Sequence, residues 1–180
     1  MGIARGNMTE RTVEEQTDGL RVWKAPVSRG SAQSVLEGVV SRAAGKGVEV
    51  LVMDADLVFG ADHVRAALYR ARRSMRDGRN ASDSLAMETL LYASAERQLS
   101  SAIKKMAVGG DTEELVIAQL TPGGFDPEDA WSPLPARSPD PAPERLARFG
   151  LTKHEILTVR PGLATELVLE KVASVDIFKK

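Results

Sequence analysis

The chain has 180 residues, 43% of them hydrophobic and 27% charged, with a formal net charge of −1. That is enough chain for one globular domain with a core and too little for two large ones. It has no cysteine, which excludes disulfides, thiolate zinc sites and thiol nucleophiles, and fits a reducing, cytoplasmic setting. The near-zero charge means that any surface for a polyanion must be local. No apolar run approaches the roughly 20 residues that span a bilayer, and the polar N-terminus lacks a signal core, so no membrane partner is expected.

Residues 1–18 read as a flexible polar tail, followed by a single domain over 19–180. Leu20 to Ala25 alternates apolar and polar and predicts a half-buried strand that Pro26 ends. Ser31 to Ala44 carries Val35, Leu36, Val39 and Val40 at helical spacing, with Ser31 as candidate N-cap. Val48 to Met53 (VEVLVM) is a short β-branched run and predicts a central strand. Asp62 is placed to cap a long helix to about Arg76, whose apolar stripe is Val64, Ala67, Leu68, Ala71 and Met75.

Asn80 to Val108 reads as two short helices broken at Ala93-Ser94-Ala95. The first covers about Ser84 to Tyr92. The second runs from Ala95 to Ala107 with Ser94 as N-cap and Leu99, Ala102, Ile103 and Met106 as buried face. Glu114 to Leu120 predicts another strand. The proline-rich stretch 121–143 reads as a long surface loop or disordered insertion. Glu144 to Val159 returns to helical spacing, interrupted near Gly150. Leu163 to Val172 is a last helix, and Ser174 to Phe178 a candidate closing strand. Strands mixed with helices in one domain make the fold class α/β or α+β.

Catalytic constellations are scarce. There is no Gly-x-Ser-x-Gly elbow, no Walker A loop and no GxGxxG after a strand. His63 and His154 read as helix-surface residues. Asp54 and Asp56, at a strand end and on one side of the chain, are the best candidates. They suit either a Mg²⁺-dependent small-molecule enzyme or a turn that caps the next element.

The cationic residues are more suggestive. The 63–79 helix carries Arg65, Arg70, Arg72, Arg73 and Arg76, with Arg79 just after. Arg65, Arg72 and Arg76 share one flank beside Tyr69, an arrangement that suits stacking with phosphate contact. The second short helix places Arg97 and Lys104 seven residues apart, with Lys105 adjacent. Its N-terminus at Ser94 to Arg97 offers free N–H groups and the positive dipole end to a phosphate.

Three runs carry a resemblance: LVMDADLVFGADHVRAALYRA, then NASDSLAMETLLYASAERQLSSAIKKMAV, then PGLATELVLEKVASVDIFKK. Together they cover about residues 48–118 and 160–180. The chain resembles the smallest accessory subunit of the KEOPS complex, the TPRKB-like family, in its archaeal form. It departs from that pattern at Ala95, where similar sequences often have glycine, and in the 121–143 stretch and the N-terminal tail.

The resemblance implies a small central, mainly antiparallel sheet covered by helices. It also implies a non-catalytic protein without metal or cofactor. Its expected partners are the atypical kinase/ATPase subunit of KEOPS, during placement of threonylcarbamoyl on tRNA adenosine, and the single-stranded 3′ CCA end of tRNA. On that basis Asn80, Ser94, Arg97, Gln98, Lys104 and Lys105 are expected at the tRNA end, with Arg65, Arg72 and Arg76 steering the acceptor stem. Leu163, Leu167, Val168, Leu169 and Val172 of the last helix are expected to divide between the core and the kinase contact. The remaining alternative is a protein-interaction module that does not bind RNA.

Overall fold

Alternating side chains on three strands build one sheet with a core on each face. The computed structural model describes residues 17–160 and 162–178. Of the tail expected over 1–18, all but Thr17 and Asp18 lies outside the described residues. Strands β1 (Arg21–Pro26), β2 (Val50–Asp54), β3 (Glu114–Gln119) and β4 (Ser132–Pro133) form an antiparallel sheet in the order β2-β3-β1-β4. The period-two alternation sorts the residues. Leu51, Met53, Val116 and Ala118 face one cluster, and Trp23, Ala25, Val50, Val52, Leu115 and Ile117 face the other.

The first cluster is covered by helices. Among the described residues these are α2 (Ala61–Arg76), α3 (Leu85–Ala93), α4 (Leu99–Met106), α5 (Pro143–Phe149), α6 (Lys153–Thr158) and α7 (Ala164–Phe178), while α1 (Ala32–Gly45) covers the opposite face. Of the expected stripe, Val64, Ala67, Leu68 and Ala71 are fully buried, and Met75 at its end is half-buried. The helical pattern of 144–159 resolves into α5 and α6, separated at Gly150. Helix α7 runs through Ser174–Phe178, so the expected closing strand is helical. Thr165, Val168, Val172 and Val175 form its inward face.

The proline-rich stretch is an ordered strap. Phe125 is fully buried against Trp23 in the second cluster, with Trp131 beside both rings. Further on, Leu134 N–H donates to Val22 C=O and Ser138 N–H to Phe59 C=O. The carbonyls of Pro135 and Ala136 accept the N–H groups of Ala61 and Asp62 at 2.8 and 2.9 Å. Those are two of the donors that a helix N-terminus leaves without partners. The strap backbone therefore caps α2, where the sequence suggested Asp62. Gly60 makes the crossing feasible: its φ is 110° and a Cβ there would lie 2.7 Å from Arg137 Cα.

Candidate nucleic-acid interface at the Ala93 to Lys105 turn

The turn between α3 and α4 is held from inside. Ser84 caps α3 by accepting from Met87 N–H at 3.3 Å. Two carboxylates reinforce that end, where the helix dipole favours anions. Glu88, fully buried, accepts from Ala81 and Ser82 N–H at 2.9 and 3.2 Å, and Glu49 accepts from Ala86 N–H at 2.8 Å and from the Ser84 hydroxyl at 3.3 Å. Asn80 lies in this anchored loop, half-buried, donating to Ser82 C=O at 3.0 Å.

At its other end α3 stops because Ala95 adopts φ 55°, the left-handed conformation usual just beyond a helix C-terminus. Ser94 is thus the C-cap of α3 and not the N-cap of α4. It is fully buried, its hydroxyl donates to Leu91 C=O at 2.9 Å and accepts from Glu96 N–H at 3.3 Å. Helix α4 starts at Leu99 with Gln98 as N-cap. Arg97 therefore precedes the helix, and the seven-residue spacing to Lys104 does not set their relation. The buried face of α4 is Ala102 and Met106, with Leu99 half-buried, whereas Ile103, expected inside, is 43% exposed.

Lys105 is an interior cation. Its ammonium donates to Ser94 C=O and Phe149 C=O, both at 2.6 Å, and to Glu96 Oε1 at 3.0 Å, and it sits 4.4 Å from the Phe149 ring centroid. It thereby joins the carbonyl ends of α3 and α5, where a positive charge is favoured. Beside it His63, expected on a surface, has no exposure at all. Its Nδ1 accepts from Phe59 N–H at 3.1 Å and its Nε2–H donates to Ala93 C=O at 2.8 Å. The Phe149 ring meets it edge-on at 5.5 Å. Burial lowers the His63 pKa to about 4, with Lys105 and Arg145 adding to the effect against the hydrogen bond to Ala93.

The expected contact residues therefore separate. Arg97, Gln98 and Lys104 are exposed at the surface of the turn and of α4, while Ser94 and Lys105 are spent inside it. On α2, Arg65 donates to Thr17 Oγ1 at 3.1 Å and Arg72 to Leu120 C=O at 2.5 Å, so both are tied to the sheet side of the domain. Burial also depresses the Arg72 pKa. Arg76 lies in solvent, 3.5 Å from Asp77.

Asp54 and Asp56 border a cleft of about 740 Å³ that the strap and α5 complete. Their chemistry there is structural. Asp54 accepts from Asp56 N–H at 2.9 Å, capping the single 3-10 turn Ala55–Leu57, and from the Thr112 hydroxyl at 2.5 Å. Asp56 pairs with Arg148. No group of three or more metal-ligating side chains converges among the described residues.

Helix α7 divides the five residues expected for a partner. Val168 and Val172 have no exposure and belong to the inward face, and Leu167 packs partly against the same core. Leu169 is half-buried and Leu163 is 44% exposed. Ile177, outside the expected set, is 74% exposed on the same helix, and Leu157 just before it is 73% exposed. Arg70 and the Tyr92 hydroxyl each meet Asp176 at 2.6 Å and fasten α7 to α2 and α3. Burial and the Asp176 hydrogen bond push the Tyr92 pKa well up.

Such an arrangement, an α+β domain with cations and apolar side chains on its outer surfaces, defines a candidate interaction domain. Residues 31–136, more than half of the chain, match the family model described as kinase binding protein CGI-121. The chain belongs to that family. No curated protein matches it. No helix among the described residues is long and apolar enough to cross a membrane.

Proposed function

We propose that this chain is a non-catalytic accessory subunit of the tRNA threonylcarbamoyl-adenosine modification complex KEOPS. In this reading it binds the complex's atypical kinase/ATPase subunit and captures tRNA by its 3′ CCA end, in the cytoplasm. Membership of the kinase binding protein family is the observation that carries the kinase half. The exposed apolar side chains Leu163 and Ile177 support the outer side of α7 as the docking face. The exposed set Arg97, Gln98 and Lys104 supports an anion-binding rim, with Ser94, Lys105 and Asn80 shaping it from within.

Two measurements test this. The double variant Leu163→Glu, Ile177→Glu should abolish kinase binding in calorimetry while circular dichroism stays unchanged. Unchanged kinase affinity would remove α7 from the interface. Full-length tRNA should bind more tightly than tRNA trimmed of its 3′ CCA, and Arg97→Glu with Lys104→Glu should erase the difference. Equal, weak binding of both tRNAs would point to non-specific charge.

A further inference from the structure

The C-terminal end of α2 gathers more positive charge than helix capping requires. Asp77 is the C-cap, and Gly78 follows at φ 66°. Gly78 N–H returns to Met75 C=O at 3.2 Å and Arg79 N–H to Ser74 C=O at 2.9 Å, the paired bonds of a Schellman motif. A left-handed residue is needed at position 78 for that reversal, and glycine supplies it without steric cost. The reversal brings Arg79 back onto the helix end. Its guanidinium reaches Asp77 at 3.0 Å, while Arg73 and Arg76 reach the same carboxylate at 3.7 and 3.5 Å. Three cations thus converge on one anion. All three are between 43% and 58% exposed, and among the described residues Asp77 is the acceptor they share. The other α2 arginines differ: Arg65, Arg70 and Arg72 are each spent on an internal acceptor.

Three cations around one carboxylate leave an excess of positive charge that repels itself, and a second anion relieves that repulsion. Guanidinium forks match phosphate oxygens. Tyr69, half-buried, sits four residues before Arg73 and seven before Arg76, on the same helical face. A ring beside arginines favours a nucleic acid over an acidic peptide, because bases stack on it. We propose that Arg73, Arg76 and Arg79 form a clamp for an RNA sugar–phosphate backbone, with Asp77 as the resident counter-ion that a phosphate displaces. This inference rests on the tRNA-binding reading above and adds a second contact, separate from the 3′ end.

The test uses the full chain with intact and CCA-trimmed tRNA, titrated between about 50 and 200 mM salt. The triple variant Arg73→Gln, Arg76→Gln, Arg79→Gln should weaken binding of both tRNAs about tenfold or more at low salt. It should reduce the slope of log K against log salt by about 2 to 3, since each of the three lost phosphate contacts removes about 0.7 to 0.9. The ratio of intact to trimmed affinity should not change. Asp77→Asn should tighten both by about threefold, and circular dichroism should match the parent for all variants. If the triple variant keeps the parent's affinity and slope while trimming still weakens binding, the clamp is overturned and the 3′-end reading stands. A loss confined to intact tRNA would also overturn it, since the cluster would then serve the 3′ end. Poly-glutamate binding as tightly as tRNA would overturn the RNA assignment. No binding of either tRNA to the parent chain would overturn both readings.

Discussion

His63 is the residue whose removal should report most directly on the interior of the turn. It joins the start of α2 to the end of α3 through two hydrogen bonds, and the one that Nδ1 accepts from Phe59 N–H requires the neutral ring. Its pKa is about 4 in the folded protein against 6.5 for a solvated histidine. A depressed histidine pKa favours the folded state only while the ring is neutral. Its stabilising contribution is therefore complete above pH 6.5 and lost as pH falls toward 4. A tenfold difference in proton affinity between the folded and unfolded chain corresponds to about 1.4 kcal/mol. The linked loss is then about 2 kcal/mol by pH 5 and about 3 kcal/mol by pH 4. In His63→Gln this dependence should vanish, with a cost of about 1–3 kcal/mol at pH 7.5 from the disturbed hydrogen bonds. Urea unfolding of parent and variant from pH 7.5 to 5 provides the assay, because His154 and the carboxylates are common to both and cancel. The gap between parent and variant should close by about 2 kcal/mol over that range. Parallel curves, or the folded-state imidazole of His63 titrating near pH 6.5 by NMR, would refute the reasoning.

Lys105→Met should destabilise the fold by about 2–3 kcal/mol, since the carbonyls of Ser94 and Phe149 lose a charged donor. Lys104→Glu, one residue away and exposed, should change urea stability by less than about 0.5 kcal/mol while weakening tRNA binding. Val172→Ala should cost about 2 kcal/mol or more by urea unfolding, because its side chain is wholly inside. Gly60→Ala should release the strap: a β-carbon there meets the Ala136 carbonyl, and φ 110° with ψ 173°, a region essentially reserved for glycine, adds about 1–3 kcal/mol. Faster proteolysis within 121–143 would be the sign of release.

Strand β1 was legible from its alternation and β2 and β3 from short apolar runs, although β2 lies at the sheet edge and not at its centre and β4 falls in the stretch read as a loop. Helix α2 was legible because its apolar stripe records one buried face. These patterns are written in side chains. The strap was not legible, since its hold on α2 runs through the carbonyls of Pro135 and Ala136, and any residue carries a carbonyl. His63 escaped for a related reason. It lies directly before Val64 in the apolar stripe, but its partners are a backbone N–H four residues earlier and a carbonyl thirty residues later, and neither separation has a sequence pattern. Lys105 and Lys104 look alike in sequence, yet α4 turns one toward two helix ends and the other to solvent. Helix α7 shows the limit of composition: its apolar residues spread over more than one face, so only packing separates Val168 and Val172 from Leu163. The Asp54-Ala55-Asp56 motif is legible in its capping role, which the hydrogen bond from Asp56 N–H to Asp54 displays.

Ala95 bears on whether the turn keeps its shape where the sequence departs from a glycine pattern. At φ 55° it occupies the conformation that glycine adopts without steric cost. For alanine that conformation costs about 1–2 kcal/mol. Three contacts hold it there: Ala95 N–H donates to Tyr92 C=O at 3.0 Å, Lys105 binds Ser94 C=O, and His63 binds Ala93 C=O. The methyl group packs against the first core cluster, and alanine restricts the unfolded chain more than glycine does. These two gains offset much of the local cost. The neighbours, more than residue 95 itself, thus dictate the turn. With alanine at residue 95, held at φ 55°, the turn exposes Arg97, Gln98 and Lys104.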